Sequence, residues 1–326
     1  MHLRLSALAA LVLLGTALPA LSQVSPAHVY NGVGRPFEVN VRFAGHDPAK
    51  LQLLKPGTAA VEMERPVESG RQDLAKIFPE IWSTKTPQLM LLQLMVGGQK
   101  IGPATVLQPM TSATISKLSA DGKSVEFVPD EDQAYAGMRA YVDQDLVLET
   151  TMGQIRFRLR PDAAPNTVWN IRELVRGGFY RDIIWHRIVA KRADGSPFVI
   201  QGGDPTGTGN GGPGFAYALE KSSLPHDFGV ISIARSTDPN TNGSQIFVCL
   251  SRAGTQHLDG KYAAFGEAIE GANVILKIAA LPVGKEDRPI NPPKIIVAKL
   301  VPAAPYGSGP QPLVRPVKQN EKPKSG

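Results

Sequence analysis

Glycine makes up half of residues 201–214, which read QGGDPTGTGNGGPG, and this density limits what the surrounding chain can fold into. Within the stretch, Gly207, Gly209 and Gly212 fit the pattern G-x-G-x-x-G, which cradles a dinucleotide pyrophosphate in other proteins. That site requires a helix to begin within the glycines, so that its N-terminal N–H groups meet the phosphates. Here the glycines lead into Pro213 and Phe215 and no amphipathic helix follows, so we predict that no nucleotide binds.

The amino-acid composition limits which class of protein this chain can be and which partners it can bind. The 326 residues suffice for two domains, and 42% apolar and 20% charged residues are typical of a globular protein. The single cysteine, Cys249, excludes an intramolecular disulfide, so packing must supply the stability. The net charge is +6, but the body of the chain has no dense Lys/Arg run, which argues against a nucleic-acid partner.

Residues 1–22 have the pattern of a cleaved signal peptide. Arg4 gives a positive start, an apolar run extends from Leu5 to Leu21, and small residues precede Gln23. A retained anchor is the less favoured alternative, because the apolar run is short and polar sequence follows it. We therefore expect an exported protein, periplasmic or secreted, with no stable membrane insertion after cleavage.

Residues 23–145 have the pattern of a β-rich domain. Apolar residues alternate with polar ones from Phe37 to Phe43, and apolar runs on both sides of Gly97-Gly98 predict a hairpin. We predict a short helix over 71–78 and, for the whole unit, a small β-sandwich. No chemical motif occurs in it, so its role stays open between interaction and spacing.

A second unit is predicted over 146–302. Two strands around Gly153 open it, and a helix follows that begins near Pro165 and ends at Gly177-Gly178. A second helix is predicted over 272–279 and a last strand over 294–301. The tail, 303–326, is rich in Pro, Lys and small polar residues, which predicts disorder.

Common catalytic motifs are missing. The chain has no H-E-x-x-H, C-x-x-C or G-x-S-x-G, and its six histidines lack the spacing of metal ligands. We therefore expect neither a metal nor a cofactor.

The second unit contains a series of segments that are each weak as motifs and specific as a set. They are APNTV at 164–168, WHR at 185–187, FVIQGGDP at 198–205, GVISIA at 229–234, NTNGSQIF at 240–247 and HLDGKY at 257–262. In this order they resemble the cyclophilin-type peptidyl-prolyl cis-trans isomerases, and the resemblance covers about half of the chain. It implies a mainly β fold, a closed antiparallel β-barrel capped by two helices, that acts on proline-containing polypeptides.

The resemblance also implies the site. Arg187 would be catalytic, because a fixed cation that donates a hydrogen bond toward the prolyl nitrogen favours the twisted amide. Gln201 would hold the substrate backbone and orient Arg187. The substrate-binding residues would be His186, Phe198, Val199, Gln201, Ala234, Phe247, His257, Leu258 and Tyr262.

Departures from the family pattern qualify these expectations. An insertion of about six residues within 188–197 lies beside the expected pocket, and Trp185 stands where the family has Phe. Arg235 looks like the bacterial type and, with the leader, implies a bacterial-like exported member that assists the folding of exported proteins. His257 replaces a Trp on which cyclosporin binding depends, so weak cyclosporin binding is expected. The alternative function is a cyclophilin-like module that binds Pro-containing segments with little turnover.

Overall fold

The computed structural model describes residues 24–83, 87–111, 114–129 and 134–316. The predicted signal peptide, residues 1–22, and residues 317–326 of the tail lie outside this part of the chain. Within it, no helix has both the length and the apolar character needed to cross a bilayer.

The first unit is made almost entirely of strands. Its strands are β1 (Val24–Pro26), β2 (Tyr30–Gly32), β3 (Glu38–Val41), β4 (Ala49–Leu54), β5 (Val61–Pro66), β6 (Gly70–Asp73), β7 (Met90–Val96), β8 (Gln99–Pro109), β9 (Thr114–Leu118), β10 (Val125–Pro129) and β11 (Gly137–Val142). Two single-turn helices, α1 (Leu74–Ile77) and α2 (Glu80–Ser83), follow β6. The predicted hairpin is confirmed: β7 and β8 pair around Gly97 and Gly98, whose φ values of +55° and +81° suit a two-residue turn.

Two sheets of unequal size share the core of this unit. One has three strands in the order β1-β3-β6, and the other has six in the order β2-β11-β8-β7-β4-β5. Phe37 and Val39 from the small sheet side and Leu51 and Leu92 from the large sheet belong to one buried cluster. The unit is β-rich as predicted, while the sandwich topology stays a prediction.

The second unit consists of one long curled sheet with helices against it. Its strands are β12 (Gln144–Thr150), β13 (Gly153–Leu159), β14 (Arg181–Ile184), β15 (Arg187–Val189), β16 (Val199–Gly202), β17 (Val230–Ile233), β18 (Ile246–Cys249), β19 (Ala264–Glu270) and β20 (Lys294–Pro302). Its helices are α3 (Pro165–Arg176), α4 (Arg252–Thr255) and α5 (Ala272–Ala279), with 3-10 turns at Gln256–Leu258 and Lys285–Asp287. The predicted helices over 165–176 and 272–279 are thus confirmed.

The order of the sheet is β14-β20-β12-β13-β19-β17-β18-β16-β15. Its two edge strands, β14 and β15, are separated in the chain only by Trp185 and His186. The chain bends at these two residues, so β14 and β15 follow one another and do not pair through hydrogen bonds. Because the two edges of the sheet are not joined by such pairing, the closed barrel that we expected is not confirmed. The sheet is curled, and the bend in the chain connects its first edge strand, β14, to its last, β15. Strands β15 and β16 therefore lie at one end of the curled sheet.

Trp185, the residue at this bend, fits because of a glycine. Its side chain is fully buried, and a Cβ on Gly202 would lie 3.1 Å from its Cε3 atom. The volume that Trp adds relative to Phe is therefore accommodated by the missing side chain at residue 202.

The two units are packed against each other through α3. The guanidinium carbon of Arg172 lies 4.0 Å from the centroid of the Tyr141 ring, and the rings of Tyr141 and Trp169 are 5.3 Å apart. Gln108 Nε2 donates to Asn166 Oδ1 at 2.8 Å. Aromatic, cationic and amide contacts therefore connect the first unit to the helix of the second.

The tail differs from its prediction over 303–316. Tyr306 accepts a hydrogen bond from the Gly57 amide on its hydroxyl at 2.7 Å, and its own amide donates to Gln93 Oε1 at 3.1 Å. Further along, the Leu313 amide donates to the Ala268 carbonyl at 2.8 Å. Composition predicts disorder because Pro and Gly dominate, but one aromatic and one apolar anchor suffice to dock the segment.

Candidate active site

The candidate site is built around two residues that face each other on the neighbouring strands β15 and β16. Arg187 and Gln201 stand opposite each other in the antiparallel ladder, so their side chains share a face of the sheet. Arg187 Nη1 donates to Gln201 Oε1 at 3.4 Å, a long bond. Because 42% of the Arg187 side chain stays exposed, its remaining N–H donors can reach a bound molecule.

The orientation of Gln201 is set by a second amide. Gln245 Nε2 donates to the carbonyls of Gly209 and Gly211 at 2.8 and 3.0 Å, which leaves its Oε1 to accept from Gln201 Nε2 at 3.0 Å. Gln201 Oε1 must then face Arg187. Gln245 was not assigned a role from the sequence, although it lies within the NTNGSQIF segment, which was the available signal.

A cavity of about 120 Å³ opens beside this pair. Its lining consists of Arg187, Phe198, Val199, Gln201, Ala234, Arg235, Phe247, Leu258 and Tyr262. Eight of these nine are residues that the sequence predicted, and Arg235 is the addition. The walls form a small apolar cluster of their own, separate from the core under α3 and α5.

Two predicted residues do not line the cavity. His186 is 5% exposed and lies behind the glycine-rich loop, where a Cβ on Gly209 would lie 3.7 Å from its Nε2. Burial lowers the pKa of His186, so the ring is neutral at pH 7. His257 instead stacks on Phe198, with ring centroids 5.8 Å apart, and borders the cavity from outside.

A hydrogen-bonded polar cluster lies behind Phe247, one of the residues that line the cavity. The Phe247 ring stacks on His226 at 5.9 Å. The His226 ring nitrogens lie 3.1 Å from Asp259 Oδ1 and 3.0 Å from Ser232 Oγ. Burial lowers the pKa of His226, and the Arg252 guanidinium holds the pKa of Asp259 well below its usual range. Sequence reasoning missed His226, since one isolated histidine carries no pattern.

The glycine-rich loop is organised by Asp204. Its carboxylate accepts from the amides of Thr206 and Gly209 at 2.7 and 2.6 Å. Burial opposes its ionisation, but these bonds and the Thr206 hydroxyl lower the pKa of Asp204 to about 2. Gly207 and Gly209 have φ values of +66° and +91°, a backbone conformation that glycine adopts without steric cost. The loop borders a second hollow of about 430 Å³ that meets the cavity at Gln201, Ala234 and Arg235.

Among the described residues, no group of three or more His, Cys, Asp and Glu side chains is placed to hold a metal ion.

Comparison with known proteins settles the family. Residues 146–300 match the family model described as cyclophilin type peptidyl-prolyl cis-trans isomerase/CLD. The peptidyl-prolyl cis-trans isomerase-like 1 proteins of Gibberella zeae and Neurospora crassa are 43% and 40% identical to this chain over 162 residues, which are 48% of this chain and 94% of each relative. The chain belongs to the cyclophilin-type peptidyl-prolyl cis-trans isomerases.

A solved cyclophilin-type isomerase of Cryptosporidium parvum, crystallised in the presence of the dipeptide Ala-Pro, is 32% identical. It covers 49% of this chain and 99% of its own, with a TM-score of 0.44. The isomerase activity expected from the sequence is confirmed for this cyclophilin. The two named relatives are fungal and do not support the expected bacterial-like membership.

The insertion in this cyclophilin forms an ordered turn between β15 and β16. The Arg192 amide donates to the Ser196 carbonyl at 2.8 Å, and Asp194 Oδ1 accepts from the Ser196 amide at 2.8 Å. Arg192 then lies over the Phe198 ring, 5.6 Å from its centroid. The insertion therefore leaves the predicted pairing of Arg187 with the following strand intact and adds a cation at the cavity mouth.

A second feature that sequence reasoning missed lies before β20 of this cyclophilin. Asp287 Oδ2 is 3.4 Å from Arg187 Nη2, and Arg288 Nη1 donates to the Gly207 carbonyl at 2.6 Å. Glu286 and Asp287 both have positive φ, at +56° and +60°, which non-glycine residues rarely adopt. The charged run KEDR at 285–288 was the available signal.

Proposed function

We propose that this chain is an exported prolyl isomerase in which Arg187 stabilises the twisted X–Pro amide of an exported polypeptide. The observation that carries the proposal is the placement of a half-exposed guanidinium at the edge of an apolar cavity. The reaction needs no nucleophile, because its barrier of roughly 18–20 kcal/mol arises from amide resonance.

The proline ring occupies the cavity between Phe198, Phe247 and Leu258, whose side chains exclude water from the prolyl nitrogen. When the amide twists, its nitrogen lone pair leaves conjugation and becomes a hydrogen-bond acceptor. Arg187 donates to that nitrogen, and because the planar amide has no such lone pair to offer, the bond strengthens in the transition state. The bonds of Arg187 to Gln201 and Asp287, both 3.4 Å, are long and leave its remaining N–H donors available to the substrate.

Gln201 contributes to the proposed reaction by holding Arg187 in place. The amide chain from Gln245 fixes its orientation, so that it keeps the guanidinium over the cavity and offers a hydrogen bond to the peptide backbone. A site already arranged in this way needs little reorganisation when the amide twists.

The experiment compares wild type, Arg187→Ala and Arg187→Lys in the full chain, using a proline-containing peptide. We expect Arg187→Ala to lower kcat/KM by about 100-fold or more, as removal of one transition-state donor does. Arg176→Ala is the matched control, since Arg176 is also a half-exposed arginine in an ion pair, with Glu173 on α3. Full activity of Arg187→Ala would contradict the assignment.

Export rests on residues 1–22 alone. Mass measurement of the mature chain after expression in an exporting host is expected to show Gln23 at the N-terminus. An intact Met1 on the exported protein would exclude cleavage.

A further inference from the structure

The inserted turn holds Arg192 in one place. Besides its backbone bond to Ser196, the turn is closed by the Gly195 amide, which donates to the Arg192 carbonyl at 2.9 Å. Its far end is tied to the body where Ser251 Oγ donates to the Pro197 carbonyl at 2.7 Å. Arg192 is therefore on an ordered element and not on a loose loop.

The guanidinium of Arg192 is directed toward the cavity mouth. It lies over Phe198, donates to the Gly254 carbonyl at 3.3 Å, and has Nη1 3.4 Å from His257 Nδ1. Phe198 also lines the cavity. The Phe198 ring therefore separates the Arg192 cation from the place where a proline would lie.

The charge of Arg192 has no carboxylate partner. Among the described residues, no carboxylate oxygen lies within 4.0 Å of Arg192, of Lys261 or of Arg235, which stacks on Tyr262 across the cavity. Asp194 lies in the same turn and acts on Arg192 only through its charge, since its Oδ1 accepts from Ser196. Asp259 pairs with Arg252 and His226. Burial, Arg192 and Lys261 lower the pKa of His257, and the weaker opposing effects of Asp194 and Asp259 do not cancel this shift.

We propose that the site prefers prolyl peptides with an acidic side chain beside the proline, and that Arg192 is the residue that determines this preference. The inference rests on the proposed use of this cavity for prolyl substrates. A peptide whose proline fills the cavity must cross the Phe198 rim on one flank, and an Asp or Glu there meets an unpaired guanidinium that forms charge-assisted hydrogen bonds. A basic side chain on the same flank meets the same cation and is repelled.

The test measures kcat/KM of the full chain on peptides that carry Glu, Gln or Lys immediately before the proline or at either of the two positions after it. At low salt we expect Glu to exceed Gln about two- to fivefold at one of these positions, the range of a half-exposed ion pair. Salt at about 1 M, where the Debye length is about 3 Å, should remove the difference. Arg192→Gln should remove it at low salt, and Arg192→Lys should keep part of it.

Lys191→Gln is the matched control, because it removes the same charge from the same turn at an exposed residue next to Arg192. This variant should keep the preference for Glu. Turnover of the Gln peptides tests the proposed function separately: if no Gln peptide is isomerised above background, that function fails whatever the effect of charge. If the Gln peptides are isomerised but Glu gives no advantage at any position, or if the advantage survives Arg192→Gln, the assignment to Arg192 is overturned.

Discussion

Asp287 Oδ2 lies 3.4 Å from Arg187 Nη2, although the two residues are 100 apart in the chain. The carboxylate approaches the guanidinium on the side away from Gln201, so the side chain of Arg187 is held from two directions. The backbone that presents Asp287 has two successive non-glycine residues with positive φ, a conformation that costs about 1–3 kcal/mol at each residue. This cost is consistent with a positioning role for Asp287 at the active site.

We expect Asp287→Asn to lower kcat about three- to tenfold with little change in KM, because Asn tolerates positive φ but cannot anchor the cation. Steady-state kinetics measure the split between the two constants, and the unfolding midpoint checks that the fold is kept. Glu286→Gln is the control, since it makes the same charge change one residue earlier on the same strained turn. Equal losses in both variants would show that the turn matters and the carboxylate does not.

Acid should loosen the glycine-rich loop through Asp204. The folded-state pKa of Asp204, about 2, lies below the ordinary value of 3.8, so the folded protein binds fewer protons and gains stability above pH 3.8. That contribution is lost as pH falls from about 4 toward about 2. Asp204→Asn should lower the unfolding midpoint at neutral pH and flatten its pH dependence in this window. An unchanged pH profile in the variant would argue against the carboxylate as the organiser of the loop.

Tyr306→Ala should lower the unfolding midpoint in denaturant, by an amount that corresponds to about 1–3 kcal/mol. It removes the hydroxyl that accepts from Gly57 and the ring that packs against the buried apolar cluster to which Leu54 and Leu91 of the first unit belong. Tyr306→Phe loses only the hydroxyl and should cost less. Val314→Ala, at a residue in the same segment that is 85% exposed, should have no effect. If Val314→Ala matched Tyr306→Ala, the docking would be nonspecific.

Cyclosporin should bind wild type weakly, and His257→Trp should bind it more tightly. His257 stands on the cavity rim, stacked on Phe198, where a larger indole would extend the apolar surface that faces a bulky ligand. Calorimetric titration of both proteins measures the difference. The same affinity in both would show that the rim residue does not control binding in this chain.

Local sequence patterns were sufficient to predict the secondary-structure elements that depend on residues close to one another in the chain. The glycine pair at 97–98 predicted a hairpin, and Pro165 with Gly177-Gly178 predicted the bounds of α3, because each is a local signal. The cavity lining followed from the family resemblance, since its segments keep the family's order.

Features that depend on tertiary contact were not predictable in this way. Asp287 reaches Arg187 only because β20 begins beside the end of β14, and Tyr306 docks only because the first unit offers Gly57 and Gln93. The open ladder between β14 and β15 was missed for the same reason. Alternation along a strand shows which face is buried, but it does not show where the chain changes partners.

Strand β20 sits inside the sheet, between β12 and β14, yet it is the last strand to be synthesised. The first unit contains all the strands of its own sheets, but the curled sheet of the second unit lacks an interior strand without residues 294–302. Removal of β20 would therefore take away the partner of both β12 and β14 and leave the curled sheet incomplete, although it would remove no residue that lines the cavity.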